Sequence, residues 1–200
     1  KQSGFKKNVS TEHAIVQLVK EISESFSKNE LTLGVFIDLS NAFDTVNHDI
    51  LLKKLDIYGI RGNTKKWLKS YLENRKQCIS FNKSNFTEFC NIVCGVPQGS
   101  ILGPLLFLIY VNDLYMASPK IATVMFADDT NVFLSDRHTE SLFMNMNNEL
   151  DKVSTWFKAN KLSLNTLKTK FSLFHPSSKK RQIPKDLPLL KIDKPLTSNL

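Results

Sequence analysis

Apolar residues in the first half of the chain follow a helical spacing and then an extended one. Ser10 or Thr11 can cap a helix, and apolar side chains then recur with helical spacing at Ile15, Leu18, Val19, Ile22 and Phe26. A short apolar run over 31–38 predicts a buried strand that ends on a carboxylate. The pattern further predicts helices over 48–57 and 63–74, the second capped by Asn63, and strands over 77–82 and 86–93 joined by a polar turn at 82–85.

The second half of the chain alternates between long helical segments and short strands. Residues 95–100 predict a loop, and a very apolar helix follows it, with Pro104 near its start and Tyr115 near its end. Apolar segments at 121–127 and 131–135 flank Asp128 and Asp129, which predicts a β-hairpin with both carboxylates at or near its tip. A helix over 139–159 and a strand over 171–174 follow, and the apolar stripe of that helix comprises Leu142, Phe143, Met146, Leu150, Val153 and Phe157.

The order of these elements predicts an α+β fold. A strand, helices, two strands, a helix, a hairpin, a helix and a strand suit an antiparallel sheet with helices on one face, close to a ferredoxin-like core. From Pro176 onwards the composition is dominated by Pro, Ser and Lys, and we expect a loose, loop-like tail.

The net charge and the cysteine content indicate which partners and which cellular compartments suit the chain. The net charge of +8 favours polyanions such as nucleic acid. The three cysteines are odd in number and no signal peptide is recognisable, so the nucleus or the cytoplasm fits best. The longest apolar run, 101–111, is too short to cross a membrane and contains Gly103 and Pro104. Because the first residue is Lys1, we expect a fragment of a longer protein.

Three carboxylates at predicted strand ends are the first candidates for chemistry. Adjacent carboxylates such as Asp128 and Asp129 are costly between apolar strands unless they reach water or a cation. Asp38 ends a separate apolar strand, so the three can converge and hold Mg²⁺, which prefers a few carboxylates plus waters and phosphates. Two such ions about 4 Å apart suit nucleotidyl transfer. Taken singly, each residue also fits a bland interpretation, a solvated turn or a strand end.

A glycine-containing loop is the second candidate. Gly95, Gly99 and Gly103 allow the backbone to approach a ligand closely, and Gln98 offers both a donor and an acceptor. An ordinary loop before a core helix explains the same residues equally well.

Taken together in order, these segments resemble the motifs of non-LTR retrotransposon reverse transcriptases, most closely those of jockey-type LINE elements. Motif A corresponds to the phrase FIDLSNAFDTV, motif B to GVPQGSILGPLLF continuing into YVNDL, motif C to FADD and motif D to LSLNTLKTK; these lie at 36–46, 95–107 with 110–114, 126–129 and 162–170. The segments 4–5 and 10–13 resemble the upstream fingers motif of the family. The resemblance covers residues 4–175.

The resemblance implies a two-metal active site. Asp38 and Asp128 would hold both ions and Asp129 would complete the triad, with the backbone carbonyl of Leu39 as a further ligand. The implied ions are Mg²⁺, with Mn²⁺ as a possible substitute.

The resemblance also implies a nucleotide site. Phe43 matches the aromatic steric gate that excludes a ribose 2′-hydroxyl, and simple core packing is its other interpretation. Gln98 and Gly99 would lie against the incoming nucleotide and its template base, and Lys168 would protonate the leaving pyrophosphate. Lys6 stands where the family has Arg, and Lys makes no planar bidentate contact with phosphate.

Other aspartates and cysteines near these motifs are predicted to have structural roles. Asp44 belongs to the family phrase as a structural or local hydrogen-bonding residue, and Asp49 charges the first turn of a helix. Asp113 has no catalytic role that the family assigns. Cys90 and Cys94 are expected to be small strand or core residues, since no second Cys or His pair stands at metal-site spacing.

The implied fold is a reverse-transcriptase palm plus partial fingers. Residues 1–30 would form the partial fingers, 31–175 the palm with a fingers insertion at about 48–93, and 176–200 a basic tail leading toward a primer grip and thumb. The implied partners are an RNA template, a DNA primer and deoxynucleoside triphosphates, and no membrane. The oligomeric state stays open, and we expect the fragment alone to be inactive.

Three other classes fit parts of the pattern. A degenerate or domesticated remnant would bind nucleic acid without turnover, and Lys6 favours it while the complete set of aspartates does not. An RNA-dependent RNA polymerase generally carries a second Asp in motif A, where this chain has Phe43. An RNA-binding module of the RRM type would show exposed aromatic residues on central strands.

Overall fold

The computed structural model describes residues 4–5, 10–81 and 85–198. The chain forms two compact units, one from residues 1–40 with 111–200 and the other from 41–110. In chain order the helices and strands are α1 (Thr11–Ser27), β1 (Leu31–Ile37), β2 (Leu39–Ser40), α2 (His48–Ile57), α3 (Gly62–Leu72), β3 (Lys76–Gln77), β4 (Cys90–Asn91), α4 (Leu102–Val111), β5 (Ala122–Phe126), β6 (Asp129–Asp136), α5 (Thr139–Ala159), β7 (Ser163–Leu164), β8 (Lys170–Phe174), β9 (Lys191–Ile192), β10 (Lys194–Pro195) and β11 (Thr197–Ser198).

The first unit is built on a five-stranded sheet in the order β11-β8-β1-β6-β5. The strands β8, β1, β6 and β5 are antiparallel to their neighbours, and the short β11 joins the edge parallel to β8. The central strand β1 is buried on both faces because it alternates apolar residues with the small Thr32 and Gly34. A Cβ at Gly34 would come within 2.8 Å of the Phe133 ring, so the close packing needs glycine there. The predicted α+β fold with an antiparallel sheet is confirmed.

Helix α5 covers this sheet with the predicted apolar stripe, all of which is buried. The helix also fixes the segment that leads into β5. Glu149 is only 4% exposed and accepts hydrogen bonds from Lys152 Nζ at 2.8 Å and Ser118 Oγ at 2.6 Å. These hydrogen bonds hold the pKa of Glu149 below its ordinary value, so this buried carboxylate is fully paired.

The second unit contains α2, α3, the β3–β4 hairpin and α4. Asn47 caps α2, since its side chain accepts a hydrogen bond from Ile50 N at 3.1 Å. Lys54 is buried, and its ammonium donates to the carbonyl oxygen of Tyr110 at 2.6 Å. His48 Nε2 lies 2.7 Å from the carbonyl oxygen of Gly95, which ties α2 to the loop before α4.

Several predicted boundaries are wrong. Arg61, not Asn63, occupies the cap of α3, and it makes no side-chain capping bond. The two predicted strands at 77–82 and 86–93 shrink to two-residue strands and a single bridge between Ser80 and Phe86. Within the turn predicted between them, positions 82–84 lie outside the described residues. Helix α4 ends at Val111 and is followed by a separate 3₁₀ turn, Leu114–Met116.

The loose tail predicted from Pro176 is also wrong in part. A 3₁₀ helix spans Ser177–Gln182, and the strands β9, β10 and β11 follow it. Leu190, Ile192 and Leu196 are buried although Lys and Pro surround them. Their alternate spacing indicates short strands, although the overall composition is typical of a loop. Short strands need only a few apolar positions to pack.

The apolar spacing of α1 predicts its helical structure correctly, but part of its stripe faces solvent. Ile15, Val16 and Val19 are each more than half exposed. None of the described helices combines the length and the apolar character needed to cross a bilayer.

Candidate active site

The three predicted metal-binding aspartates lie together at one end of the sheet in the first unit. Asp38 directly follows β1, Asp128 lies in the turn between β5 and β6, and Asp129 begins β6. Ile37 pairs with Thr130 across the sheet, so Asp38 and Asp129 are the next residues along the two neighbouring strands. The structure therefore brings Asp38 together with two carboxylates that follow it about ninety residues later in the sequence.

The turn that carries Asp128 is a two-residue hairpin turn. Phe126 pairs with Asp129, and Ala127, the first turn residue, has a φ of 55°. A positive φ at this position is the mark of a type II′ turn, which usually takes glycine. The backbone of Gly4 lies against this turn, since a Cβ at Gly4 would come within 2.1 Å of Ala127 N. The family phrase includes Gly4, but no sequence pattern predicts its contact with this turn.

The electrostatics of the three carboxylates favour a cation. Partial burial raises the pKa of Asp129, and the negative charges of Asp128 and Asp38 raise it further. Among the described residues, no group of three or more His, Cys, Asp or Glu side chains meets the geometry of a metal cage. Carboxylate oxygens are nevertheless the ligands that Mg²⁺ prefers, and it completes its shell with waters and phosphates. The donor set thus fits Mg²⁺ in its chemistry.

A turn at 165–169 grips the backbone of Asp38 from the other side. Asn165 N donates to the carbonyl oxygen of Asp38 at 2.9 Å, and Asp38 N donates to Thr169 Oγ1 at 3.2 Å. Thr169 is fully buried and its hydroxyl donates to the carbonyl oxygen of Asn165. The pairing of Leu39 in β2 with Leu164 in β7 extends this contact.

This turn also carries Lys168. Its side chain is exposed, and its backbone N–H donates to the carbonyl oxygen of Asn165 at 3.2 Å. Asn165 and Thr169 were visible in the sequence only as members of motif D. Their role as a clasp on Asp38 depends on contacts across 131 residues of sequence, which spacing alone does not reveal.

The predicted nucleotide-binding residues Phe43, Gln98 and Gly99 belong to the second unit. The ring of Phe43 is half-buried and stacks on Phe107 with centroids 4.5 Å apart, so its core-packing interpretation is confirmed. Its role as a steric gate stays a prediction. Gly99 is exposed, with a φ of 77° that favours glycine. Lys6 lies outside the described residues.

Gln98 makes an unexpected contact with Asp44. Its Nε2 lies 2.9 Å from Asp44 Oδ1 and 3.0 Å from Oδ2, so the amide donates to the carboxylate. Among the described residues, the carboxamide oxygen of Gln98 makes no hydrogen bond, which leaves it available as an acceptor. Asp44 is a hydrogen-bonding residue as predicted, but this partner of its carboxylate is distant in sequence rather than local. Asp49 lies in the first turn of α2 as predicted.

The loop around Gln98 is shaped by two close backbone contacts. A Cβ at Gly95 would lie 2.7 Å from the carbonyl oxygen of Asp44, and one at Gly103 would lie 2.5 Å from that of Pro97. All three cysteines are free. Cys90 lies on β4 as expected but is exposed, and Cys94 is only half-buried, so neither is a core residue.

Residues 1–187 match the family described as "Reverse transcriptase (RNA-dependent DNA polymerase)". The chain belongs to this reverse transcriptase family. The predicted resemblance to non-LTR reverse transcriptases is therefore confirmed, and membership of this family argues against the RRM and RNA-dependent RNA polymerase interpretations.

The relatives of this reverse transcriptase domain come from mobile elements. The probable RNA-directed DNA polymerase from transposon BS of Drosophila melanogaster is 33% identical over 181 residues, which covers 84% of this chain. The RNA-directed DNA polymerase from mobile element jockey of the same organism is 28% identical over 170 residues, or 78% of this chain. The chain spans 19% and 18% of the lengths of these two relatives.

Solved telomerase structures share the fold of this reverse transcriptase domain. A telomerase of Candida tropicalis in complex with a fragment of telomeric RNA matches with a TM-score of 0.62, 14% identity, and coverage of 88% of this chain and 31% of that one. The truncated apo telomerase of the same organism gives a TM-score of 0.59, with 88% and 37% covered. At this level of identity the match shows the fold alone.

Proposed function

We propose that this reverse transcriptase domain catalyses RNA-directed DNA synthesis by two-metal nucleotidyl transfer. The observation that carries the proposal is the meeting of Asp38, Asp128 and Asp129 at one end of the sheet, where partial burial and then the charges of the other two carboxylates raise the pKa of Asp129. Three carboxylates from two strands are held together at an electrostatic cost that a divalent cation relieves. Sequence relatives named as RNA-directed DNA polymerases support the same reaction.

In the proposed reaction, the 3′-hydroxyl oxygen of a primer forms a bond to the α-phosphorus of a deoxynucleoside triphosphate while the bond to pyrophosphate breaks. Asp38 and Asp128 would hold two Mg²⁺ ions, for which Mn²⁺ can substitute, with Asp129 and the Leu39 carbonyl as further ligands. When bound, the ions activate the attacking hydroxyl and stabilise the leaving oxygen. The contacts of Asn165 and Thr169 fix the backbone of Asp38, from which its carboxylate would reach an ion.

The remaining predicted residues would serve the nucleotide. Phe43 would exclude a ribose 2′-hydroxyl, and its stacking on Phe107 would hold the ring in place. Gln98, fixed by Asp44, would offer its carboxamide oxygen to the nucleotide or template base beside Gly99. Lys168 would donate a proton to pyrophosphate, and Lys6 would contact the triphosphate.

The proposed partners are an RNA template, a DNA primer and deoxynucleoside triphosphates. The net charge of +8 supports a polyanionic partner. One structural neighbour is described as bound to a fragment of telomeric RNA, which supports nucleic acid as the partner class. The free state of all three cysteines agrees with the nucleus or the cytoplasm as the site of action.

Primer extension with a polymerase that contains this domain, carrying Asp128→Asn, tests the function. Synthesis on an RNA template should fall by roughly two to three orders of magnitude, as when a group that stabilises transition-state charge is removed. Asp151→Asn is the matched control, since Asp151 is an exposed carboxylate on α5 outside the triad. Metal-dependent synthesis that survives Asp128→Asn at the wild-type rate would contradict the triad.

A second candidate is a catalytically incomplete or domesticated domain that binds nucleic acid. Lys6 in place of the family Arg favours it, because Lys gives triphosphate no planar bidentate contact. The same primer-extension assay separates the two candidates. The incomplete domain would be identified if the unmodified polymerase bound RNA without DNA synthesis and gained synthesis on Lys6→Arg.

A further inference from the structure

Asp38 lies at the point where the chain passes from one sheet to another. The strand β1, which ends at Ile37, pairs with β6 and β8, whereas β2, which begins at Leu39, pairs with β7. Asp38 stands between these two strands and is part of neither. The path of its backbone therefore depends on contacts from outside the strand pairs, and these contacts decide where its carboxylate can stand.

One of these contacts comes from a side chain. The N–H of Asp38 donates to Thr169 Oγ1 at 3.2 Å, and the carbonyl oxygen of Asp38 accepts from Asn165 N at 2.9 Å. The second contact joins two backbone groups, so any amino acid at position 165 other than proline can make it. The first contact requires a hydroxyl at position 169, so the amino acid at that position decides whether it forms.

The hydroxyl of Thr169 has a fixed orientation. It donates its one hydrogen to the carbonyl oxygen of Asn165 at 2.9 Å, which leaves its lone pairs to accept from Asp38 N. The side chain is β-branched and therefore stiff at χ1. Thr169 is also fully buried, at 0% exposure, so bulk water has no access to replace the contact.

The position of Asp38 matters because a divalent cation needs several ligands at once. Asp129 directly precedes Thr130, which pairs with Ile37, so the sheet fixes Asp129 at the end of its strand. Asp38 lies beyond the last such pair. Mg²⁺ demands near-ideal octahedral geometry, so a shift of Asp38 against Asp128 and Asp129 would weaken its binding.

A role in stability alone is the other interpretation of Thr169, and Thr32 shows what it would look like. Thr32 is also fully buried, and its Oγ1 lies 3.0 Å from Ser135 Oγ. It stands on β1 six residues before Asp38, which is about 20 Å along an extended strand. The two threonines are thus alike in burial, but only the hydroxyl of Thr169 is bonded to a candidate metal ligand.

We propose that Thr169 is a positioning residue that sets the divalent-cation affinity of the three-aspartate site by fixing the backbone of Asp38. It acts through Asp38 and does not itself bind the ion. The existence of the metal site rests on the proposed function, whereas the role of Thr169 rests on its burial and its two hydrogen bonds.

Titration of the 200-residue chain with Mn²⁺, followed by electron paramagnetic resonance of the free ion, tests this role without any need for polymerase activity. Thr169→Val removes the hydroxyl at nearly the same side-chain shape. It should weaken Mn²⁺ binding by roughly ten- to a hundredfold, the usual effect of losing a group that fixes a metal ligand. Thr169→Ser keeps the hydroxyl and should retain most of the wild-type affinity. Circular dichroism checks folding, and Thr169→Ala gives the same comparison if the valine variant does not fold.

The matched control is Thr32→Val, which removes an equally buried hydroxyl from the same sheet. It should lower the thermal unfolding midpoint and leave Mn²⁺ affinity unchanged. Equal weakening of Mn²⁺ binding by Thr32→Val and Thr169→Val would overturn the positioning role, and so would wild-type affinity in Thr169→Val.

Asp128→Asn in the same titration tests the metal site itself. If this variant loses Mn²⁺ binding while Thr169→Val keeps it, only the positioning role fails and the proposed function stands. If Asp128→Asn binds Mn²⁺ as the wild type does, the metal site of the proposed function fails, and the role of Thr169 fails with it.

Discussion

Asp129 is a residue whose charge opposes folding. Its pKa is raised by partial burial and by the charges of Asp128 and Asp38. A raised pKa means that the folded state holds the proton more tightly than the unfolded state. The contribution of Asp129 to stability is therefore favourable below its ordinary pKa and is lost as the pH rises through the raised pKa.

We predict that Asp129→Asn raises the thermal unfolding midpoint of this chain at neutral pH. Because Asp129 remains accessible to solvent, the gain should be at most about 1 kcal/mol, or about 2–4 °C for a chain of this length. The difference between variant and wild type should vanish below the ordinary pKa of aspartate. Differential scanning calorimetry across this pH range measures both.

Adding Mg²⁺ is the complementary measurement for the same residue. The ion should raise the midpoint of the wild type more than that of Asp129→Asn, since a ligand that binds only the folded state stabilises it. Asp151→Asn again serves as control and should change neither midpoint nor its response to Mg²⁺. A lower midpoint for Asp129→Asn at neutral pH would contradict the assignment of repulsion at this site.

The roles of single residues were predictable from sequence only where a motif spans them. The sequence predicts a shared role for Asp38, Asp128 and Asp129 because short apolar strands precede or flank each of them. The contact of Gln98 with Asp44 and that of Gly4 with Ala127 were not predicted. Both depend on the folded path of the backbone between residues distant in sequence, which local periodicity does not encode.

At the level of elements, the tail after Pro176, a 3₁₀ helix followed by three short strands, is the least predictable part of the chain. Asp193 in the turn between β9 and β10 accepts hydrogen bonds from Ser154 Oγ and Lys158 Nζ, both at 2.6 Å. The hydrogen bond from Lys158, followed by that from Ser154, lowers the pKa of Asp193. With Ile192 fully buried beside it, the tail is fastened to α5 by one charged contact and by packing.

We predict that Ile192→Ala destabilises the chain by about 2–5 kcal/mol, the usual cost of truncating a buried aliphatic side chain. Leu189→Ala is the matched control, because Leu189 is 63% exposed and its truncation should cost within about 0.5 kcal/mol. Urea unfolding followed by circular dichroism measures both variants. Equal stability of Ile192→Ala and wild type would show that the tail is not part of the folded core.

Long helices and buried strands were predicted well for a physical reason. Helix α5 matches its predicted bounds because an amphipathic helix of 21 residues repeats its apolar spacing over several turns. The β3–β4 hairpin was overestimated because its apolar residues, typical of strands, remain exposed instead of packing against a second layer. β-propensity reports how well a residue fits a packed, half-buried surface, and this hairpin offers no such surface.

On the scale of the whole molecule, the two units differ in how they bury their apolar residues. The first encloses β1 on both faces, with Leu33 and Val35 fully buried. The second has a core around Leu51, Leu55, Leu72 and Phe107, yet its β3–β4 hairpin leaves apolar side chains such as Phe81 exposed. A two-stranded ribbon that no second layer covers is marginally stable, so this hairpin is expected to open far more readily than the sheet of the first unit.

Hydrogen exchange measured by mass spectrometry or NMR on this chain tests that difference. Amides of β1 should exchange only through global unfolding, with an opening free energy on the order of 5–15 kcal/mol. Amides in the β3–β4 hairpin, such as those of Thr87 and Phe81, should open with a free energy far below that of β1 although they are hydrogen-bonded. Equal protection of these amides and of those in β1 would contradict the marginal stability of the hairpin.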